Sequence, residues 1–537
     1  MAVVLLSVLS WIYALFAALQ LILCPVFLFV IAGRPAFRLI IAIFILQLIV
    51  LPFLLYIWWK NDKGDYIPFR ARARAARRRN SSDVTREPSQ EEEERRPLLG
   101  VNDGESNGES HGEPSGERTT GVRRRPTSGS LSGQARSERE SAGVEEKGGR
   151  DGARRVIEEQ SEKVTLIRFL LDRPLRTILI SLTTLTNIVL FIIVMDYVYR
   201  PFLFHKNRDL TISRVGSITP DSVRMFIRAP PPHTHVRFEY FSEVNGKWLP
   251  GPEVNVTEEN DYTASVKAQG LEADKMYRYR WVGVESEKSV FGKEEEEQFS
   301  FRTAPVEGKP TKFTFVFTSC VKPNFPYGVK DVRGFREIQK QENLAFVLFL
   351  GDLIYADSPT VYGTDVETYR WHYRWLYSMA DFRNLFRKTP LFSIYDDHEV
   401  LNNWQYHERD PFPAAFRAFN DYAGLTNPHD DANQTAVFEF GFGDSAFFVM
   451  DTREFRDKET KTMLGAGQKE RLKQWLIRGG VVAFRSVLHM VVTQCFAVNS
   501  TSTFKFLVTS VPFTQNWQWD QFDTWGGYMA VGGFLIS

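Results

Sequence analysis

The sequence predicts a C-terminal α/β domain, a small all-β domain before it and membrane-spanning helices at the N-terminus. Three observations carry this. Apolar runs long enough to span a bilayer occupy Val3–Ile31, Leu39–Trp59 and Thr177–Met195. Short alternating runs separated by turn residues fill the stretch from about Leu210 to Thr303. From Lys312 onward, buried-type strands alternate with helical segments, and successive strands end in acidic, thiol or imidazole side chains.

A hydrocarbon core of roughly 30 Å takes about 20 apolar residues of helix, and all three apolar runs meet that length. The first run carries no charge before Arg34 and is longer than the apolar region of a cleaved signal peptide, which favours a true span. The basic residues Lys60, Lys63, Arg70, Arg72, Arg74, Arg77, Arg78 and Arg79 follow the second run, so that end is expected on the cytoplasmic side. The organisation expected is two transmembrane helices in residues 1–60, a cytoplasmic linker over 61–170 and a third transmembrane helix over 175–199. Everything after about residue 200 then faces a lumen or the outside, in the secretory system or at the plasma membrane. The acceptor tripeptides at Asn255, Asn433 and Asn499 suit that side. Residues 80–160 are rich in Arg, Glu, Ser and Gly and hold too little apolar surface to offset their ordering entropy, so a disordered segment is expected. Its basic start suits contact with membrane lipids, with a solvated tail whose charge only fixes topology as the favoured alternative.

The 537 residues have a net charge of +1, which gives no global field for nucleic acid and excludes it as an expected partner. Three cysteines, Cys24, Cys320 and Cys495, do not make a disulfide framework.

Between residues 208 and 305, the runs Ser222–Ile227, Val236–Tyr240, Tyr262–Val266 and Met276–Val282 alternate as half-buried strands do. Pro230–Pro232, Asn245–Gly246 and Pro250–Gly251 read as turns between them. The stretch Leu271–Tyr279 reads as a tyrosine corner centred on Tyr277, a feature of fibronectin or immunoglobulin-like sandwiches. His233 and His235 share a strand face but follow three prolines, and a surface role is expected for them.

The strand Phe313–Phe317 leads into Thr318-Ser319-Cys320. A helical segment, Gly334–Asn343, precedes the strand Phe346–Leu350, which runs into Gly351-Asp352-Leu353-Ile354-Tyr355. An aromatic-rich helical region, Val366–Phe386, leads to the strand Leu391–Tyr395 and then to Asp396-Asp397-His398-Glu399. Polar groups at the C-terminal ends of successive strands are where an α/β sheet builds its site.

The pattern resembles the calcineurin-like metallophosphoesterase superfamily, and the substitutions within it are similar to the alkaline phosphatase D (PhoD-like) branch. Cys320 stands in the first motif, Tyr355 closes the second, and Asp396-Asp397-His398-Glu399 replaces the third. The flanks Asp381-Phe382-Arg383, Asn402-Asn403-Trp404, Asp451-Thr452-Arg453 and Ser510-Val511-Pro512 agree. The resemblance implies a four-layer α/β/β/α metallophosphoesterase sandwich over residues 311–537 and hydrolysis of phosphate mono- or diesters by a metal-activated hydroxide. It implies Cys320, Asp352, Tyr355 and Asp397 as metal ligands, with a further oxygen from Asn402 or Asn403, iron with calcium as the metals, and Asp352 as the bridging carboxylate. His398 is implied as the residue that contacts phosphate or protonates the leaving group. Arg453 is expected as a phosphate donor, with a salt bridge to Asp451 or Glu454 as the alternative.

Two departures stand out. The family carries a further histidine motif after the region present here as Asp523-Thr524-Trp525-Gly526-Gly527-Tyr528, but no histidine follows, so the sandwich is expected to be incomplete. Between a helix at Gln468–Arg478 and a strand at Phe504–Val508, residues 479–503 break the composition, as do 529–537, as translated intron sequence would. His489, inside the first break, sits in an apolar setting and is not expected to replace the missing ligand. The alternative to an enzyme is an inactive, truncated membrane scaffold or receptor that binds no metal.

Overall fold

The structure, a computed structural model, describes residues 2–29, 34–62, 174–243, 246–292, 299–323, 327, 331–405, 409–428, 436–457, 459–477, 481–487, 490–495, 502–512 and 524–525. The expectations for the linker from residue 63, for Asn433, Asn499 and His489, and for residues 529–537 lie outside these.

Three helices occupy the apolar runs: α1 (Ala2–Phe29), α2 (Arg34–Asp62) and α3 (Pro174–Phe204). Within them, Arg34–Pro52 and Ile180–Phe204 are long and apolar enough to cross a membrane, and Ile12–Leu28 is a shorter apolar stretch. The helices meet through Cys24, Phe27, Phe37, Val194 and Tyr197. Phe44 stacks on Phe191 with ring centroids 3.9 Å apart.

The next eight strands are β1 (Ile212–Ile218), β2 (Ser222–Arg228), β3 (His235–Ser242), β4 (Lys247–Asn255), β5 (Thr263–Gln269), β6 (Met276–Gly283), β7 (Lys288–Ser289) and β8 (Ser300–Arg302). They form two antiparallel sheets, ordered β1-β2-β5 and β4-β3-β6-β7, with β8 also pairing β6. Val223, Met225 and Ile227 of β2 share one core with Phe238 of β3 and with Tyr279 and Trp281 of β6. The Tyr277 hydroxyl accepts the backbone N–H of Glu272 at 2.9 Å. Pro250–Gly251, expected as a turn, lies inside β4. β4 is an edge strand whose register with β3 slips between Arg237 and Glu239, and an edge with an irregularity tolerates proline. His235 lies 3.5 Å from Glu253, on the surface.

Among the described residues, the remaining α-helices and strands are β9 (Thr314–Thr318), α4 (Arg333–Ile338), β10 (Leu344–Leu350), α5 (Val366–Tyr377), α6 (Ala380–Phe386), β11 (Leu391–Ile394), α7 (Phe412–Tyr422), β12 (Phe438–Phe442), β13 (Ser445–Val449), α8 (Gly465–Ile477), β14 (Val481–Val487), β15 (Met490–Cys495) and β16 (Phe504–Val508). One sheet is parallel, ordered β11-β10-β9. The other is mixed, ordered β12-β13-β16-β15-β14. Side chains alternate across a strand, and this sorts the core into layers. Phe346, Leu348 and Leu350 of β10 join Phe447 and Val449 of β13 and Val508 of β16 between the sheets. Val347 and Phe349 turn the other way, against Phe335, Tyr373, Phe382 and Phe419 from the helices. Phe448 and Leu507 face outward from the second sheet onto Leu472 and Trp475 of α8. The compositional break at 479–503 contributes β14 and β15, an antiparallel pair added beyond β16.

Candidate metal centre

The C-terminal ends of β9, β10 and β11 open onto one place. Residues after β10 and β11 are drawn together by Glu399, whose carboxylate accepts the backbone N–H of Asp352 at 2.9 Å, of Ile354 at 3.4 Å and of Asp396 at 2.7 Å. Gly351 allows the approach. Its φ is +95°, and a β-carbon there would lie 2.3 Å from the β-carbon of Asp396.

Asp352 is the focus. The Cys320 thiol donates to its Oδ2 at 3.2 Å, and the Tyr355 hydroxyl donates to the same oxygen at 3.1 Å. Donor atoms of Asp352, Asp397 and His398 all lie within 4.8 Å of one another. The Tyr355 and His398 rings stack at 4.3 Å. His398 Nδ1 is 2.7 Å from Asp357 Oδ1, and Asp357 Oδ2 accepts the backbone N–H of Asn402 at 2.8 Å. The backbone N–H of Asn403 donates to Asp397 Oδ2.

One expectation is corrected. Arg453 is fully buried and unable to meet a substrate, because its side chain is consumed by a carboxylate. Its Nε and Nη2 lie 2.5 and 2.9 Å from the two oxygens of Asp396, and Nη2 is 3.5 Å from Asp397 Oδ1. The salt bridge is therefore real, but its partner is Asp396 rather than Asp451 or Glu454. Ser510 adds a donor to Asp396 Oδ1 at 2.7 Å. Asn402 takes part through its backbone N–H, while the residue itself is exposed. Sequence reasoning gave no role to Glu399 or Asp357. Glu399 stood within the motif Asp396–Glu399, whereas Asp357 carries no signal beyond following Tyr355 by two positions.

The electrostatics fit a cation. Burial and the negative charge of Asp396 raise the pKa of Asp352. Burial also lifts Asp397 to about 7. The Cys320 thiol rises to about 11 through burial and the charge of Asp352. Tyr355 is raised for the same two reasons. Acids that suppress one another's ionisation are a donor set in need of positive charge, and a bound metal reverses that suppression. Asp352 Oδ1 is buried and has no hydrogen-bond partner, which leaves a lone pair for such an ion. Burial disfavours the His398 cation, but the hydrogen bond to Asp357 and the charge of Asp352 outweigh it and raise the pKa to about 9.

Residues 315–531 match the family model for the PhoD-like phosphatases. Solved structures with similarity include PhoD, at 21% identity over 60% of this chain and 67% of that one, with a TM-score of 0.45. They also include the purple acid phosphatase PPD1 from seeds of yellow lupin (Lupinus luteus), at 14% identity and a TM-score of 0.38, covering 50% of this chain and 48% of that one. No curated protein matches the chain. The family match spans every strand end that builds the cluster, and residues 315–531 are accordingly a PhoD-like phosphatase domain.

Proposed function

We propose that the chain is a metal-dependent phosphoesterase, acting on phosphate mono- or diesters and tethered to a membrane by its N-terminal helices. The observation that carries this reading is the convergence of Cys320, Tyr355, Asp397 and His398 on Asp352. Cys320, Asp352, Tyr355 and Asp397 are the residues that hold the metals, with iron favoured by the thiol and phenol and calcium by the carboxylates. Bound metal supplies Lewis acidity and a more acidic water. Asp357 fixes the His398 ring by holding Nδ1, so that Nε2 is left to contact phosphate or to protonate the departing oxygen. Arg453 and Ser510 keep Asp396 in place beside Asp397.

The membrane reading rests on the length and composition of α2 and α3 and on the basic residues that follow α2. It puts the phosphatase domain on the lumenal or extracellular side. The ends of α1 and α3 fall on that same side, and the domain bonds to both: Tyr327 donates its N–H to the Leu28 carbonyl at 3.1 Å and its hydroxyl to Asp196 at 2.8 Å. The sandwich over 208–305 is read as a fibronectin/Ig-like module.

The test is hydrolysis of mono- and bis-nitrophenyl phosphate by the full chain with iron and calcium, together with its metal content. Wild type should turn over one or both substrates and lose activity to a chelator. Asp352→Asn should lower the rate by at least about a hundredfold, equivalent to roughly 2.7 kcal/mol of barrier, with Tm little changed. A variant that keeps both rate and metal would refute the site, and a wild type that binds no metal would favour the scaffold.

A further inference from the structure

Arg34 opens α2, and its Nη1 lies 3.5 Å from Asp357 Oδ2. The Asp357 side chain is 2% exposed, and that of Arg34 is 32% exposed. Asp357 is the carboxylate that holds His398 Nδ1, and it also accepts the Asn402 N–H. A carboxylate offers about four acceptor positions, and those two donors fill only part of them. The guanidinium supplies a positive charge from the outer side, as an ion pair.

The ends of α1 and α3 are clamped to the phosphatase domain. Besides the two bonds from Tyr327, the Tyr362 hydroxyl donates to the Val198 carbonyl on α3. Both tyrosines pack against the cluster that includes Phe27 and Phe37. The helical hairpin is therefore seated on the phosphatase domain beside its candidate site, with one charged side chain reaching in.

We propose that the start of α2 completes the active site, with Arg34 a positioning residue that acts through Asp357 on His398. The inference rests on the role given to His398 above. Arg34 holds the Asp357 carboxylate in one orientation, and that carboxylate holds the imidazole. Without Arg34 the carboxylate rotates more freely and the ring with it. Misplacing a catalytic group by about 1 Å can cost a hundredfold in rate. The phosphatase domain is then dependent on its N-terminal helices for geometry as well as for location.

A double-mutant cycle on the full chain tests this, reading kcat, KM and Tm. Arg34→Ala should lower kcat about tenfold, as loss of an outer-shell partner does, with KM and metal content held. Arg34→Lys should restore most of the loss. In an Asp357→Asn background, Arg34→Ala should cost nothing further. Arg38→Ala, an exposed position one turn along α2, should match wild type. An unchanged kcat in Arg34→Ala, or losses that simply multiply in the double variant, would overturn the role. Additive Tm shifts for Arg34 and Asp357 would overturn the contact itself, whether or not the chain is active. If wild type hydrolyses nothing while the Tm shifts remain coupled, the phosphoesterase reading fails, and the role of Arg34 in catalysis fails with it.

Discussion

Asp352 and Cys320 both adopt left-handed backbone conformations, with φ of 57° and 64°. Such a conformation costs an L-residue about 1–2 kcal/mol, so it persists only where the surroundings over-determine it. Here Glu399 holds the Asp352 N–H, while the thiol and phenol hold its carboxylate. Cys320 is the replaceable member of that set, because the residue is exposed even though its thiol is turned onto buried Asp352. Cys320→Ser should leave Tm nearly unchanged and weaken transition-metal binding at least tenfold, which a metal titration of the purified chain would read. Arg453 is the opposite case. Removing it leaves Asp396 as a buried, unpaired charge, a change that costs about 3–5 kcal/mol. Arg453→Met should therefore show as a large loss in Tm or denaturant midpoint. A stable variant with a raised KM alone would instead restore the phosphate-donor role.

The loops that carry these residues depend on how closely two strand ends approach. Gly351→Ala puts a β-carbon at 2.3 Å from that of Asp396 and strains a φ of +95°. Alanine at positive φ costs more than about 1 kcal/mol by itself, and the backbone shift forced by the clash separates Asp352 from Asp397. The variant should lose activity at temperatures where circular dichroism still reports a folded protein. How far such elements can be read in advance follows their periodicity. β10 was legible because five apolar residues in a row signal a strand buried on both faces, and the site was legible because three such strands end in ligand-type side chains. β4 was not, because its burial shows no alternation and its Pro-Gly pair reads as a turn. The β12–β13 hairpin was missed for a related reason, since β12 is buried only at its ends. The partner of Arg453 lies 57 residues away in sequence, where local pattern offers Asp451 and Glu454 instead. In the sequence Arg34 marks only the end of the first uncharged run, and its contact with Asp357 exists only once the chain is folded.

At the scale of the molecule, the β-sandwich and the phosphatase domain are joined by a buried ionic latch. Asp261, at the turn into β5, receives Arg228 Nη2 from β2 at 2.8 Å on one oxygen. Its other oxygen receives Arg374 from α5 and the Tyr422 hydroxyl from α7. Arg214 of β1 reinforces the seam, bonding Thr426 Oγ1 at 2.8 Å and the Tyr422 carbonyl at 2.6 Å. Burial alone would raise the Asp261 pKa, but Arg228 and Arg374 outweigh it and hold the carboxyl below its usual 3.8. A carboxyl depressed in the folded state stabilises the protein above the unfolded value, and that contribution is lost as pH falls through the folded one. Asp261→Asn removes the ionised form and leaves two buried guanidinium groups facing a neutral amide, at a cost of about 3–5 kcal/mol near neutrality. The Tm gap between wild type and Asp261→Asn should therefore be full and constant at pH 5–7 and should narrow as pH drops below about 4. The narrowing has a single cause, since the wild-type carboxyl then takes up the proton whose absence held the two arginines. A gap that stays the same down to pH 3 would mean that the charge of Asp261 contributes nothing to holding the two domains together.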